Sequence, residues 1–186
     1  MIDFSTTEAA RLLGGETCNG EARFSAVSTD SRTLDGMALF VAIPGERHDG
    51  HDHVAAAASR GAVAALVARR VEVDIPQIVV ANVREALLQL AALWRSRSDA
   101  VVVALTGSNG KTTVKEMIAA ILSQQGSVLA TAGNLNNEIG VPLTLTRLQE
   151  QQYAVVEMGA NHPREIHRLS KICLLYTSDA ADEMSE

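Results

Sequence analysis

Gly107-Ser108-Asn109-Gly110-Lys111-Thr112-Thr113 is a spacing that can hold a triphosphate. Its glycines let a backbone wrap around an anion without Cβ clashes. The amides of such a loop, and of the helix it opens, point at phosphate oxygens. Lys111 supplies positive charge for the β- and γ-phosphates, and Thr112 supplies a hydroxyl for Mg²⁺. The general phosphate-loop pattern asks for a glycine where Leu105 stands, so the loop is a shorter one that begins at Thr106 and Gly107. A turn that merely carries Gly-Lys-Thr-Thr is the competing reading. Strand, loop and helix in the required order favour nucleoside triphosphate with Mg²⁺, bound by Thr106, Gly107, Ser108, Asn109, Gly110, Lys111, Thr112 and Thr113.

Other residues could act beside that loop. Glu157 closes an apolar strand in the setting Val-Val-Glu-Met-Gly-Ala-Asn. Ligands of open α/β sheets sit outside the carboxyl ends of strands, so an acid there suits Mg²⁺, directly or through water. Asn134, Asn136 and Asn137 offer amide groups in a glycine-flanked loop; ordinary turn chemistry explains them equally well. Thr29-Asp30-Ser31-Arg32 puts hydroxyls and a guanidinium at a strand end, suited to a phosphate or a uracil edge, or to a solvated turn. His48, His51 and His53 lie beside Asp49 and Asp52 with no cysteine near, which favours a solvated or substrate-facing loop over a metal site. His162 and His167 either touch phosphate or cap a helix. Trp94 reads as helix packing.

The elements that must carry these groups follow from periodicity. Ala100 to Leu105 is apolar and β-branched, the pattern of a strand buried on both faces. From Lys111 onward Val114, Met117, Ile118, Ile121 and Leu122 recur at helical spacing. Upstream, Ser5-Thr6-Thr7-Glu8 reads as a capping box ahead of a short helix that Gly14-Gly15 ends. Phe24 to Ser28, Ala38 to Ile43, Ala62 to Ala68 and Gln77 to Ala81 read as strands, with a helix from Val54 to Arg60. Asn82 caps a helix from Val83 to about Arg97. Beyond the loop come a strand at Ser127 to Ala130, a short helix at Pro142 to Leu148, a buried strand at Tyr153 to Met158, and a helix with Pro163 in its first turn. This alternation is α/β with a mostly parallel sheet.

The division expected is a small α/β domain over 1–82, a connecting helix over 83–98 and the start of a phosphate-loop domain over 99–172. Only about three strands fit after Asp99, fewer than such a domain needs. Residues 173–186 break the rhythm and resemble a translated adapter read-through; a native acidic tail is the alternative. The chain therefore reads as a gene fragment ending near Ile172.

Composition narrows the class. Of the 186 residues 47% are hydrophobic, enough to bury a core, and only 3% are aromatic, so Ala and Val do much of the filling. A net charge of −6 argues against nucleic acid as the main partner. Two cysteines, Cys18 and Cys173, form no CxxC or Cys/His cluster, so neither a disulfide framework nor zinc is expected. There is no signal-peptide pattern and no apolar run of membrane-spanning length, so the expected location is the cytoplasm.

Four stretches together resemble the Mur ligases of peptidoglycan synthesis, and within them the MurF type that adds D-alanyl-D-alanine. Thr29-Asp30-Ser31-Arg32, with Gly36 to Ala42 and Asp49-Gly50-His51, is similar to the family's UDP-sugar-binding domain. Thr106 to Thr113 is similar to its phosphate loop, which also lacks the earlier glycine. Gly133 to Pro142 and Glu157 to Asn161 are similar to the MurF type in particular; the sister ligase that adds the third residue shares only the first two stretches. The resemblance implies an ATP-dependent amide ligase. ATP would phosphorylate the terminal carboxylate of UDP-MurNAc-tripeptide, and the amine of D-Ala-D-Ala would attack the acyl phosphate. It implies Lys111, Glu157 and Asn137 as catalytic residues and Thr112 and Glu157 as Mg²⁺ ligands. Thr29, Asp30, Ser31, Arg32, Asp49, Gly50, His51, Asn134, Asn136 and Asn137 would contact substrate, in a monomer.

The family's longer central domain, with a modified lysine and a second metal, and its C-terminal domain have no counterpart here. The chain alone is therefore expected not to complete ligation. The rivals are a ligase adding a single amino acid, a non-catalytic nucleotide-sugar and ATP-binding module, and another phosphate-loop enzyme. A GTPase lacks support, because no Asn-Lys-x-Asp follows the loop.

Overall fold

The computed structural model describes residues 1–34, 36–45, 48–159 and 164–175. Its chain opens with β1 (Phe4–Ser5), α1 (Thr6–Leu12), β2 (Glu16–Cys18), β3 (Arg23–Phe24), β4 (Ala26–Ser28) and β5 (Ala38–Val41). A 3₁₀ turn at Gly50–His53 leads into α2 (Val54–Ser59), β6 (Ala64–Val67), β7 (Gln77–Val79) and the long α3 (Val83–Ser96). Then follow β8 (Val101–Leu105), α4 (Lys111–Leu122), β9 (Val128–Ala130), α5 (Gly140–Leu145), β10 (Tyr153–Glu157) and α6 (Glu165–Ile172).

Two mostly parallel sheets result. The first, in the order β2-β7-β6-β5-β4, is parallel except where β2 meets β7. The second, in the order β8-β10-β9, is wholly parallel. β1 and β3 make a separate antiparallel pair. The strand period explains the layering of the larger sheet. Leu39, Val41, Ala64 and Leu66 face the main core, while Phe40, Ala65 and Val67 face a smaller cluster with Val54 and Ala57.

Helix α3 binds both halves into one core. Asn82 Oδ1 accepts the N–H groups of Arg84 and Glu85 and so starts it. Its apolar face buries Leu87, Leu90 and Trp94 among Phe4, Phe24, Leu145 and Leu148. The Trp94 indole N–H donates to the Leu148 carbonyl at 2.7 Å, and its ring centroid lies 5.4 Å from that of Phe4.

Three expectations about these elements are corrected. Phe24 to Ser28 is not one strand. Ser25 N–H and Ala26 N–H both donate to the Met37 carbonyl, at 2.9 and 3.2 Å, and this irregularity sends β3 and β4 to different sheets. β8 is not buried on both faces: among the described residues it lies at the edge of its sheet with β10 as its single neighbour, and Val101 is 58% exposed. The apolar repeat of α4 is two stripes rather than one. Lys115, Ile118 and Leu122 turn inward, while Val114, Met117 and Ile121 are exposed. α6 starts at Glu165, with Arg164 as its N-cap in the left-handed region. Pro163, His162 and Asn161, and residues 176–186 of the expected tail, lie outside the described residues. Cys173 does not: it is buried in the main core, where burial pushes its thiol up to about 12. No helix among the described residues is long and apolar enough to cross a membrane.

Candidate functional site

The carboxyl ends of β8, β9 and β10 meet the amino end of α4. Leu105 closes β8, and the chain turns back at Gly110, whose φ of +75° is the left-handed conformation that only glycine adopts at no steric cost. α4 then starts at Lys111, so its first N–H groups project beyond the helix end. The Lys111 ammonium folds over the loop and donates to the Gly107 carbonyl at 2.7 Å.

Parallel pairing sets Glu157 level with Leu105, across from the loop. The Glu157 side chain is 2% exposed and fully engaged. Thr112 Oγ1 donates to its Oε2 at 3.1 Å, and Asn136 Nδ2 donates to its Oε1 at 2.9 Å. Its backbone N–H donates to Thr131 Oγ1 at 2.9 Å. Asn136 comes this close because Gly159 has no side chain: a Cβ there would lie 3.1 Å from the Asn136 amide. The Gly159 N–H also donates to the Asn136 carbonyl at 2.7 Å. A threonine hydroxyl beside a carboxylate is a hard-oxygen pair, the donor type Mg²⁺ takes when phosphate and water complete its shell. These two side chains therefore fit the ion.

The other asparagines are used differently. Asn137 Oδ1 accepts the N–H groups of Ile139 and Gly140 at 3.1 and 2.8 Å and so starts α5. The Asn134 carbonyl accepts the Asn136 N–H at 2.8 Å, tightening the loop. Arg168 ties that loop to α3, reaching Glu138 at 2.9 Å and Glu85 at 2.7 Å.

Thr29, Asp30, Ser31 and Arg32 line a cleft of about 650 Å³ with His53 and Arg60. Arg32 is turned onto Asp30, with contacts of 2.8 and 2.9 Å, and this holds the Asp30 carboxyl down at about 2. Thr29 and Asp30 also border a second cleft of about 640 Å³, which reaches Leu135 of the asparagine loop and Arg147. That cleft thus runs from the 29–30 stretch to Leu135, between Asn134 and Asn136 in sequence.

His51 turns inward, 3% exposed. Its Nε2 accepts the Ala68 N–H at 2.9 Å, so the proton sits on Nδ1, which lies 2.6 Å from Asp49 Oδ1. Asp49 Oδ2 accepts from Arg69 at 2.9 Å. Gly50 packs so closely that a Cβ would sit 2.6 Å from the Ile43 nitrogen. Asp49, Gly50 and His51 thus brace the loop against β6. His167 lies inside α6 with an exposed side chain.

Sequence reasoning missed Lys115 and Thr131. Lys115 is 2% exposed and donates to the Thr131 carbonyl at 2.8 Å. The available signal was a lysine standing in register with Ile118 and Leu122 on one helical face.

Two family profiles match the chain in succession. The one described as Mur ligase family, catalytic domain, takes residues 23–95, and the one described as Mur ligase middle domain takes residues 105–178. The chain belongs to the Mur ligase family. Over 89% of its length it is 52% identical to the UDP-N-acetylmuramoyl-tripeptide–D-alanyl-D-alanine ligase of Escherichia coli K12, of which it covers 37%. A crystal structure of MurF from Acinetobacter baumannii superimposes with a TM-score of 0.84 at 41% identity, over 93% of this chain and 39% of that one. MurF ligase from Thermotoga maritima, solved in complex with ADP, gives 0.70 at 35% identity, over 79% of this chain and 35% of that one. The chain thus spans under two-fifths of the length of these Mur ligases, and its resemblance is of the MurF type.

Proposed function

We propose that this chain is the UDP-substrate and ATP-gripping portion of a ligase that joins D-alanyl-D-alanine to UDP-MurNAc-tripeptide. The observation that carries this reading is the convergence of Thr112, Asn136 and Glu157 beside the 106–113 loop. The likeness to relatives named for that activity supports it. Lys111 and the loop amides hold the ATP phosphates and offset charge on the transferring group. Thr112 and Glu157 would hold Mg²⁺, which would supply charge neutralisation between phosphate and carboxylate. The tripeptide carboxylate takes the γ-phosphoryl group with loss of ADP; the incoming amine then attacks the acyl carbon and phosphate leaves. Asn136 orients Glu157. Asn134 and Asn137 shape the loop at the substrate side, Asn137 by fixing the start of α5. Thr29, Asp30, Ser31 and Arg32 take the UDP end, and Asp49, Gly50 and His51 keep that cleft in shape. The division into units over 1–82 and 99–172 joined by α3 is part of the same reading. So are a cytoplasmic location, a monomeric state and the lack of a nucleic-acid partner.

Calorimetry of the chain with UDP-MurNAc-tripeptide tests the first half. Saturable binding is expected, competed by UDP and weakened about ten-fold by Arg32→Ala, the loss of a charge-assisted contact. No heat with the wild-type chain contradicts the reading. The type is tested in the same titration by the length of the peptide on the nucleotide sugar. Preference for UDP-MurNAc-tripeptide is expected, and preference for the dipeptide, the substrate of a ligase adding the third residue, instead assigns the other type.

A further inference from the structure

Helix α4 carries a second lysine that the phosphate-loop reading leaves unused. Lys115 stands one turn beyond Lys111, buried against the second sheet beside Ile118 and Leu122. A methionine of similar length would fill that space without desolvating an ammonium, so the charge itself needs a use. Its contacts supply one. Lys115 Nζ donates to the Thr131 carbonyl at 2.8 Å and pairs with Glu116 at 2.9 Å. Thr131, at the carboxyl end of β9, is also held by its own N–H, which donates to the Val155 carbonyl at 3.0 Å. Its hydroxyl accepts the Glu157 N–H at 2.9 Å. Glu157 in turn meets Thr112 at 3.1 Å, on the same helix as Lys115. The contacts form a closed circuit that leaves α4 at Lys115, passes through β9 and β10, and returns to α4 at Thr112.

We propose that Lys115 is a positioning residue for Glu157: by holding the Thr131 main chain it sets the hydroxyl that fixes the Glu157 backbone, and so aims the carboxylate at Thr112. This rests on the reading of Thr112 and Glu157 as the Mg²⁺ pair. A plain anchor between helix and sheet would act on stability alone. A positioning residue acts on the metal and on one particular amide.

The experiment compares the wild-type 186-residue chain with Lys115→Met, Thr131→Val and Glu157→Gln. Three quantities are read: Mg²⁺ affinity at a fixed concentration of a fluorescent ATP analogue, analogue affinity in EDTA, and amide exchange by NMR without nucleotide. Lys115→Met and Thr131→Val are each expected to weaken Mg²⁺ about ten-fold, the usual effect of removing a group that orients a metal ligand. Affinity in EDTA is expected to stay unchanged. The Glu157 amide is expected to exchange about ten-fold faster while the amides of β5 keep their protection, a local rather than global opening. Adding Lys115→Met to Glu157→Gln is expected to cost no further Mg²⁺ affinity. Wild-type Mg²⁺ affinity and Glu157 exchange in Lys115→Met would overturn the proposal. So would a parallel loss of EDTA affinity and of all amide protection. A wild-type chain that takes up no Mg²⁺-nucleotide contradicts the phosphate-site reading itself. The coupling is then judged on the Glu157 amide, and unchanged exchange there overturns it.

Discussion

The carboxylates of the two candidate regions are satisfied by different means, and those of Asp30 and Asp49 have consequences in acid. Glu157 is met by the neutral donors Thr112 and Asn136. Asp49 accepts the His51 N–H, the His51 ring and Arg69, which together hold its carboxyl well below the ordinary 3.8. Asp30 is held at about 2 by the Arg32 guanidinium and N–H. A carboxyl whose folded-state pKa is depressed adds stability that is complete above its unfolded pKa and lost as pH falls through the folded one. For Asp30 and Asp49 the window opens near pH 3.8 and extends down to about 2 and below. Thermal unfolding followed by circular dichroism is expected to show Tm dropping across that window. Asp49→Asn is expected to lower Tm at neutral pH and flatten the acid drop. An equally steep drop in the variant would contradict the assignment. The family resemblance singled out Asp49, Gly50 and His51 as a group. That His51 faces the Ala68 amide is set by a contact 17 residues away, which no local pattern encodes.

Among the elements, α3 was the most legible. Its Asn82 cap and its Ala86, Leu87, Leu90 and Leu93 periodicity lie within one short window, and the helix is observed over Val83–Ser96. The strand-loop-helix around Gly107 to Lys111 was legible for the same reason. What local pattern could not supply is strand order. β10, the last strand among the described residues, lies between β8 and β9, so within them the run at Val101 to Leu105 is an edge despite its apolar composition. Asn136, Thr131 and Glu157 likewise meet only through that order. Trp94 illustrates how far α3 reaches, since its indole N–H bonds Leu148, 54 residues on. Trp94→Phe removes that bond, strands a buried carbonyl and leaves a cavity. Each effect costs on the order of 1–3 kcal/mol. Urea unfolding is expected to show destabilisation of about 2–4 kcal/mol. A change below about 0.5 kcal/mol, the range of an ordinary surface site, would contradict the role given to this helix.

On the scale of the whole molecule, the second sheet is covered unevenly. Val114, Met117 and Ile121 form an exposed apolar stripe on α4, with Met117 and Ile121 60% and 64% exposed. Because these side chains bury little, Met117→Gln with Ile121→Gln is expected to change stability by no more than about 0.5 kcal/mol. Light scattering at high concentration is expected to show a monomer with less non-specific association than the wild-type chain, as removing an apolar patch should do. A large loss of stability would mean the stripe is packed. The central claim is that the Thr106 to Thr113 bend grips the triphosphate. Its most direct test is an NMR titration of the chain with a non-hydrolysable ATP analogue and Mg²⁺. The prediction is that the amides of Gly107 to Thr113 and of Glu157 shift first and furthest, and that Lys111→Ala abolishes these shifts while leaving the remaining amides unmoved. Saturable shifts confined to other residues, with the loop silent or insensitive to Lys111→Ala, would contradict it.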